Sequence, residues 1–249
     1  MKFSDDSERG GVRHRRFVLE RSGHEIPGAL WSPPEGVGEP LGLVLIGHGA
    51  SGSKYQDYVR SLGRALAAGH RLAAAAIDGP VHGDRRADGG RDGQLAFLDF
   101  ATRWSSDSSL TDEMVSDWQV TLDCLSSVDG LGGPVGYWGL SMGTILGLPL
   151  VAAEKRISAA VLGLMGLTGP TLDRIASDAP RVSCPVLFLL QWSDELFPRQ
   201  TGFELFDALG TADKTLHANP GGHGAVPSHE FATSASFLAW RLRTRAPEG

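Results

Sequence analysis

Short apolar runs alternate along this chain with longer stretches in which apolar positions recur every three or four residues. The run at 41–46 (LGLVLI) has no polar position, the pattern of a strand covered on both faces. Runs of the same kind lie at 72–77, 135–138, 159–165 and 186–190, with a weaker one at 214–217. The segments 12–20 and 24–31 instead alternate apolar with polar residues and predict an opening hairpin. Between the runs, 55–68, 114–125, 144–153, 203–209 and 231–242 carry helical spacing, with Tyr58, Leu62, Ala65 and Leu66 on one face of the first. Strand and helix in alternation predict a mostly parallel sheet of about eight strands with helices on both faces. A single α/β domain is expected over 12–243, between a mobile N-terminus at 1–11 and a tail at 244–249. One long irregular stretch is expected from 83 to about 111.

Composition changes this picture little. Net charge is −6, which gives no chain-wide field to attract nucleic acid or an anionic membrane. The basic group Arg13 to Arg16 follows an acidic run and reads as part of the solvated end. Cys124 and Cys184 lie far apart in apolar segments and match no zinc spacing. No apolar stretch approaches the roughly 18 residues of a membrane span, and the first residues lack a signal peptide's apolar core. A cytoplasmic protein, monomeric or homodimeric, is the expectation. Glycine stands out: 33 residues are about 13%, against a usual 7% or so.

In open sheets of this type, ligands bind beyond the carboxyl ends of the strands. There, Gly139-Leu140-Ser141-Met142-Gly143 follows the 135–138 run and opens a helix. A strand-to-helix turn of this kind holds a serine in a strained conformation with its hydroxyl exposed, and small neighbours let the backbones pass closely. A serine needs a base to become a nucleophile. Of the histidines after Ser141, His217 ends a strand-like run and His229 starts the last helix. His223 lies between them in a turn-rich loop and is the expected base. Asp194, after the 186–190 run, is the expected acceptor for that imidazole, with Glu195 as the alternative.

A tetrahedral intermediate needs two N–H donors. One is expected at Met142; the other falls in the loop Gly47-His48-Gly49-Ala50-Ser51-Gly52, with Ala50 preferred and Ser51 the alternative. His48 is expected to brace that loop.

The ordered motifs HGASG, DGPVHGDR, GLSMG, SDELF and PGGHG resemble those of the α/β-hydrolase superfamily, over nearly the whole chain. Ser141, Asp194 and His223 follow that family's order. The 78–85 turn and the compact size look most like the dienelactone hydrolase and acyl-peptidase-like esterase group. Two features depart from it. Ser141 stands where dienelactone hydrolases carry cysteine, and there is no room for the propeller that acyl-peptidases usually add.

The resemblance implies an α/β-hydrolase fold, with little or no cap because few residues separate the 159–165 run from Cys184. It implies a serine carboxylesterase acting on a small-molecule ester, with neither metal nor organic cofactor. Thioester or small-amide hydrolysis, acyl transfer, and a non-catalytic binding role are its alternatives. Phe97, Leu98, Phe100 and Trp104, and across from them Trp192, Leu196 and Phe197, are open to two readings, substrate wall or ordinary core.

Overall fold

A computed structural model describes residues 1–128 and 130–244; the tail expected at 244–249 therefore lies outside the described residues from 245 on. Its centre is one nine-stranded sheet in the order β1-β2-β3-β5-β4-β6-β7-β8-β9. The alternating segments become β2 (Arg13–Arg21) and β3 (His24–Ser32), an antiparallel pair. The apolar runs become β4 (Leu43–Gly47), β5 (Ala73–Ile77), β6 (Val135–Gly139), β7 (Ile157–Gly163), β8 (Val186–Gln191) and β9 (Lys214–Asn219). These six strands run parallel, so all their carboxyl ends open on one edge of the sheet.

Alternate residues of β4 to β8 feed two different cores, which is why those runs contain no polar position, whereas β9 at the sheet's edge is only partly buried and keeps Lys214, Thr215 and His217. Leu43, Leu45, Tyr137 and Phe188 belong to one core; Val44, Ile46, Trp138, Leu187 and Leu189 belong to the other. Helices α1 (Asp57–His70) and α7 (Ser228–Arg243) cover the second. The first is covered by α2 (Gly93–Ser106), α3 (Leu110–Ser126), α4 (Met142–Ala153), α5 (Leu172–Asp178) and α6 (Arg199–Ala208). The alanines of β5 leave a gap that Trp31 fills, from its position opposite Ala74 on β3. Trp31 also lies so close to Gly63 of α1 that a Cβ there would stand 2.6 Å from the indole. Among the described residues no cap domain stands over the strand ends: the β7–β8 connection holds only α5 and a short 3₁₀ turn.

Two segments differ from expectation. Residues 1–11 are not a mobile end, because Lys2–Glu8 forms β1, paired antiparallel with β2. Charge makes the difference: Arg13 donates from Nε to Asp6 at 2.9 Å, and Arg16 from Nη1 to Asp5 at 3.3 Å. The basic run is thus strand, laddered to the acidic run across the pair. β1 is exposed throughout and, Phe3 apart, polar, the character of an edge strand that resists pairing with other chains.

The 83–111 stretch is likewise not wholly irregular, since it contains α2. Asp92 caps that helix by accepting from the amides of Gln94 and Leu95. Ala96, Phe100 and Trp104 form its inward stripe at four-residue spacing. Exposed Leu95 and Leu98 fall outside that stripe and blur it in the sequence.

Candidate active site

Four loops meet at the carboxyl edge of the sheet, those after β4, β6, β8 and β9. The β6 loop is a turn so tight that its small residues are obligatory. A Cβ on Gly143 would lie 2.7 Å from the carbonyl oxygen of Gly47, and one on Gly139 2.6 Å from that of Gly143. Ser141 sits in this turn at φ 57°, ψ −121°, a conformation costing about 1–3 kcal/mol that only strong surroundings maintain. Its N–H donates to Gly163 O at 3.0 Å, and its carbonyl accepts from the amides of Thr144 and Ile145. Tyr137 Oη, buried beneath the turn, donates to Gly143 O at 2.6 Å.

Ser141 Oγ lies 2.8 Å from His223 Nε2, and His223 Nδ1 lies 2.8 Å from Asp194 Oδ2. Because a carboxylate only accepts, Nδ1 carries the proton and Nε2 is left to accept from the serine hydroxyl. Asp194 Oδ1 accepts from the amides of Leu196 and Phe197, both at 2.9 Å. Burial pushes the Asp194 carboxyl up, but the His223 hydrogen bond and these amides outweigh it. The group therefore titrates below the ordinary carboxylate value.

Glu195 takes a different part. Its Oε2 accepts the backbone N–H of His223 at 2.8 Å, while Asp194 meets the ring. The loop after β9 is tied again by Gln191 Nε2 donating to Gly222 O, and by Ser193 N–H donating to Gly221 O. No sequence signal separated the neighbouring acids, since a one-residue step decides which reaches the imidazole.

The β4 loop is held mainly by side chains from elsewhere. Tyr58 Oη accepts the Gly49 N–H at 2.7 Å, which removes that amide from any role with a ligand. Burial raises the Tyr58 hydroxyl to about 12, so it stays protonated. Neither the Ala50 nor the Met142 amide has a hydrogen-bond partner among the described residues. Lys54, buried just beyond the loop, is paired with Asp78 and Asp84 at the end of β5.

A cavity of about 470 Å³ joins these parts, lined by Ala50, Ser51, Ser141 and His223. Its apolar wall comes from Tyr58, Trp138, Leu140, Leu164, Val226 and Phe231. Tyr58, Trp138 and Phe231 pack against one another with ring centroids 5.7–5.9 Å apart. Phe97 and Leu196, both exposed, stand on its rim. Among the described residues, no Asp, Glu, Lys or Arg lines it.

Of the five aromatic residues considered for the substrate wall, the cavity takes in Phe97 alone. Phe100 is core, packed 6.0 Å from the His82 ring, and Trp104 stacks on it and donates from Nε1 to Thr171. Trp192 lies outside the cavity under the Arg199 guanidinium. Phe197 leans on the His223 ring from behind, 5.7 Å away. Wall residues missed in the sequence, such as Tyr58 and Phe231, belong to helix stripes whose tops happen to reach the strand ends.

A larger cavity of about 770 Å³, lined by Arg21, His24, Arg85 and Glu113, contains none of the triad residues. Beside it, His24, Glu113 and Asp117 have the spacing of metal ligands. Their carboxylates already accept from Arg21, Arg85 and Arg103, which a cation would have to displace.

A cold-adapted esterase from an Arctic intertidal metagenomic library, solved with bound PEG, is 42% identical to this chain. The match covers 97% of this chain and all of that one, with a TM-score of 0.87. A dienelactone hydrolase from Anabaena variabilis ATCC 29413 matches at 20% identity over 95% of this chain and 99% of its own, TM-score 0.69. An acetyl xylan esterase from Paenibacillus sp. R4 matches at 19% over 97% and 88%, TM-score 0.69. These last two share the fold. No protein-family model matches the chain, and no curated protein matches it.

Proposed function

The chain belongs to the α/β-hydrolase esterases, and from that premise we propose that it is a serine carboxylesterase working through an acyl-enzyme on Ser141. The observation that carries this reading is the unbroken hydrogen-bond chain Ser141–His223–Asp194, opening into a cavity with apolar walls. As Ser141 Oγ attacks the ester carbonyl, His223 Nε2 takes its proton, and Asp194 stabilises the imidazolium that results. The carbonyl oxygen becomes an oxyanion held by the N–H groups of Met142 and Ala50. His223 then protonates the departing alcohol, and the same base activates the water that releases the acid.

The lining favours a neutral substrate. With no Asp, Glu, Lys or Arg in the cavity lining, a charged acyl or alcohol group would lose its hydration without an ion partner there. Uncharged esters with an apolar group of modest size fit that cavity.

Hydrolysis of p-nitrophenyl esters of increasing chain length tests the reading. The native protein is expected to prefer short to medium chains, and Ser141→Ala to lose about 10⁴-fold or more in kcat. Hydrolysis by Ser141→Ala within about tenfold of native would exclude Ser141 as the nucleophile.

A further inference from the structure

Two buried histidines stand behind the loop that follows β4, and neither belongs to the triad. His48 Nδ1 lies 2.8 Å from Gly49 O. Its Nε2 accepts the N–H of Gly79 at 2.9 Å, so the ring is the neutral tautomer with its proton on Nδ1. His82, in the DGPVHG turn after β5, lies 2.8 Å from Ala50 O through Nε2, which must therefore carry the proton. The two rings meet edge to face at 4.9 Å. Gly79 joins them: its N–H donates to His48, and its carbonyl accepts the His82 N–H at 3.0 Å. A Cβ on Gly79 would lie 2.9 Å from His82 Nδ1 and 3.3 Å from the end of the Met142 side chain. The assembly thus bonds the backbone on both sides of the Ala50 Cα and lies beside the Met142 side chain.

A trans peptide is planar, with its C=O and N–H pointing in opposite directions. The oxygen of Gly49 belongs to the same peptide plane as the Ala50 N–H, and the oxygen of Ala50 to the same plane as the Ser51 N–H. Fixing the oxygens fixes the amides. That hold is needed because Gly49 gives the Gly49–Ala50 plane little steric resistance to rotation. A rotated plane would turn its carbonyl, a second negative end, toward the reacting oxygen.

We propose that His48 and His82 are positioning residues of the oxyanion hole: His48 holds the Gly49–Ala50 plane that carries the Ala50 N–H, and His82 holds the adjoining Ala50–Ser51 plane, so that Ala50 is fixed on both sides and its N–H faces the reacting carbonyl. This rests on the serine esterase reading above. It assigns a part to the DGPVHG motif, and it explains why Phe100 packs on His82 rather than on the cavity. Burial lowers the His48 ring to about 4 and the His82 ring to about 3, which keeps both neutral at neutral pH.

The test compares His82→Met with His82→Gln, side chains of similar length and volume that differ in the amide N–H. In His82→Met, kcat is expected to fall about 10–100-fold, less than the 10²–10³ of losing a donor outright, with KM within about threefold of native. Affinity for a trifluoromethyl ketone, which forms a tetrahedral adduct on serine, should fall by the same factor. His82→Gln should return kcat to within about threefold of native, and the pH profile of kcat/KM should not move. The proposal is overturned if His82→Met keeps native kcat, if its loss lies in KM, or if His82→Gln is equally impaired. Failure of either variant to melt cooperatively would assign His82 to fold stability and overturn it too. Ser141→Ala is run alongside. If that variant stays active the esterase reading itself fails, whereas a Ser141-dependent but His82-independent activity removes the positioning role alone.

Discussion

The turn after β6 and the loop after β4 face the same cavity, yet different forces hold them. The turn is fixed from within: Gly139, Gly143 and Gly47 meet at distances that admit no Cβ, and Ser141 is locked into a left-handed conformation. The loop is fixed largely from outside, by Tyr58 and His82 on its backbone and by the Lys54–Asp78 pair just beyond it, with His48 the one brace from within. Backbone strain is visible as a local motif. A hold built from distant side chains is not, which is why the turn was readable from five residues while, of the loop's supports, only His48 was.

The scale of the turn's output is set by the base that serves it. Asp194→Asn keeps an oxygen for the Leu196 and Phe197 amides but no longer favours the Nδ1–H tautomer; kcat should fall about 10³–10⁴-fold with the melting temperature nearly unchanged. An unchanged kcat would move the acid to Glu195, against the hydrogen bonds observed.

Gly143→Ala probes the point where the two regions touch. The added methyl must displace the Gly47 backbone, so a stability loss of about 1–3 kcal/mol is expected. A drop in kcat of about 10²-fold should accompany it, because both loops shift together. Denaturant unfolding and steady-state kinetics measure the two effects. A neutral Gly143→Ala would show that the turn is less tightly determined than its geometry says.

The loop should show its dependence on buried neutral histidines as acid lability. Unfolded imidazoles near 6.5 take up protons at pH 5, while His48 and His82, held to about 4 and 3, do not. The unfolded state then binds more protons, so stability falls as pH drops from about 7 to 5, by about 2 kcal/mol for each ring. Urea unfolding at the two pH values should show His82→Gln losing less than the native protein by the share of one ring.

Five of the parallel strands, β4 to β8, were readable because burial on both faces leaves them almost wholly apolar, whereas β9 keeps Lys214, Thr215 and His217 and gave only a weak run. Ser141, Asp194 and His223, the triad we propose, could be singled out because each lies in the loop that follows such a run. Asp194 and Glu195 were separable only by geometry, since both carboxylates reach His223 and only one reaches its ring. β1 was missed because all its residues but Phe3 are polar, and its side-chain partners, Phe17 and the arginines of β2, lie on the neighbouring strand. Phe100 and Trp104 lie on the inward stripe of α2 and Phe97 just off it, a distinction that needs a helix phase, whereas the sequence pattern over 83–111 reads as irregular. Of the supports of the loop proposed to give the second oxyanion donor, His48 lies within it, but Tyr58 on α1 and His82 in the turn after β5 lie beyond any local pattern.

Covalent labelling tests the central claim most directly. A fluorophosphonate reacts with a serine only where a base, an orienting acid and an oxyanion hole act together. Incubated with the native protein and mapped by peptide mass spectrometry, the probe should add once, on Ser141, and abolish ester hydrolysis in proportion. A protein that hydrolyses esters while Ser141 stays unlabelled, or that is labelled at another residue with the same loss of activity, would contradict the account.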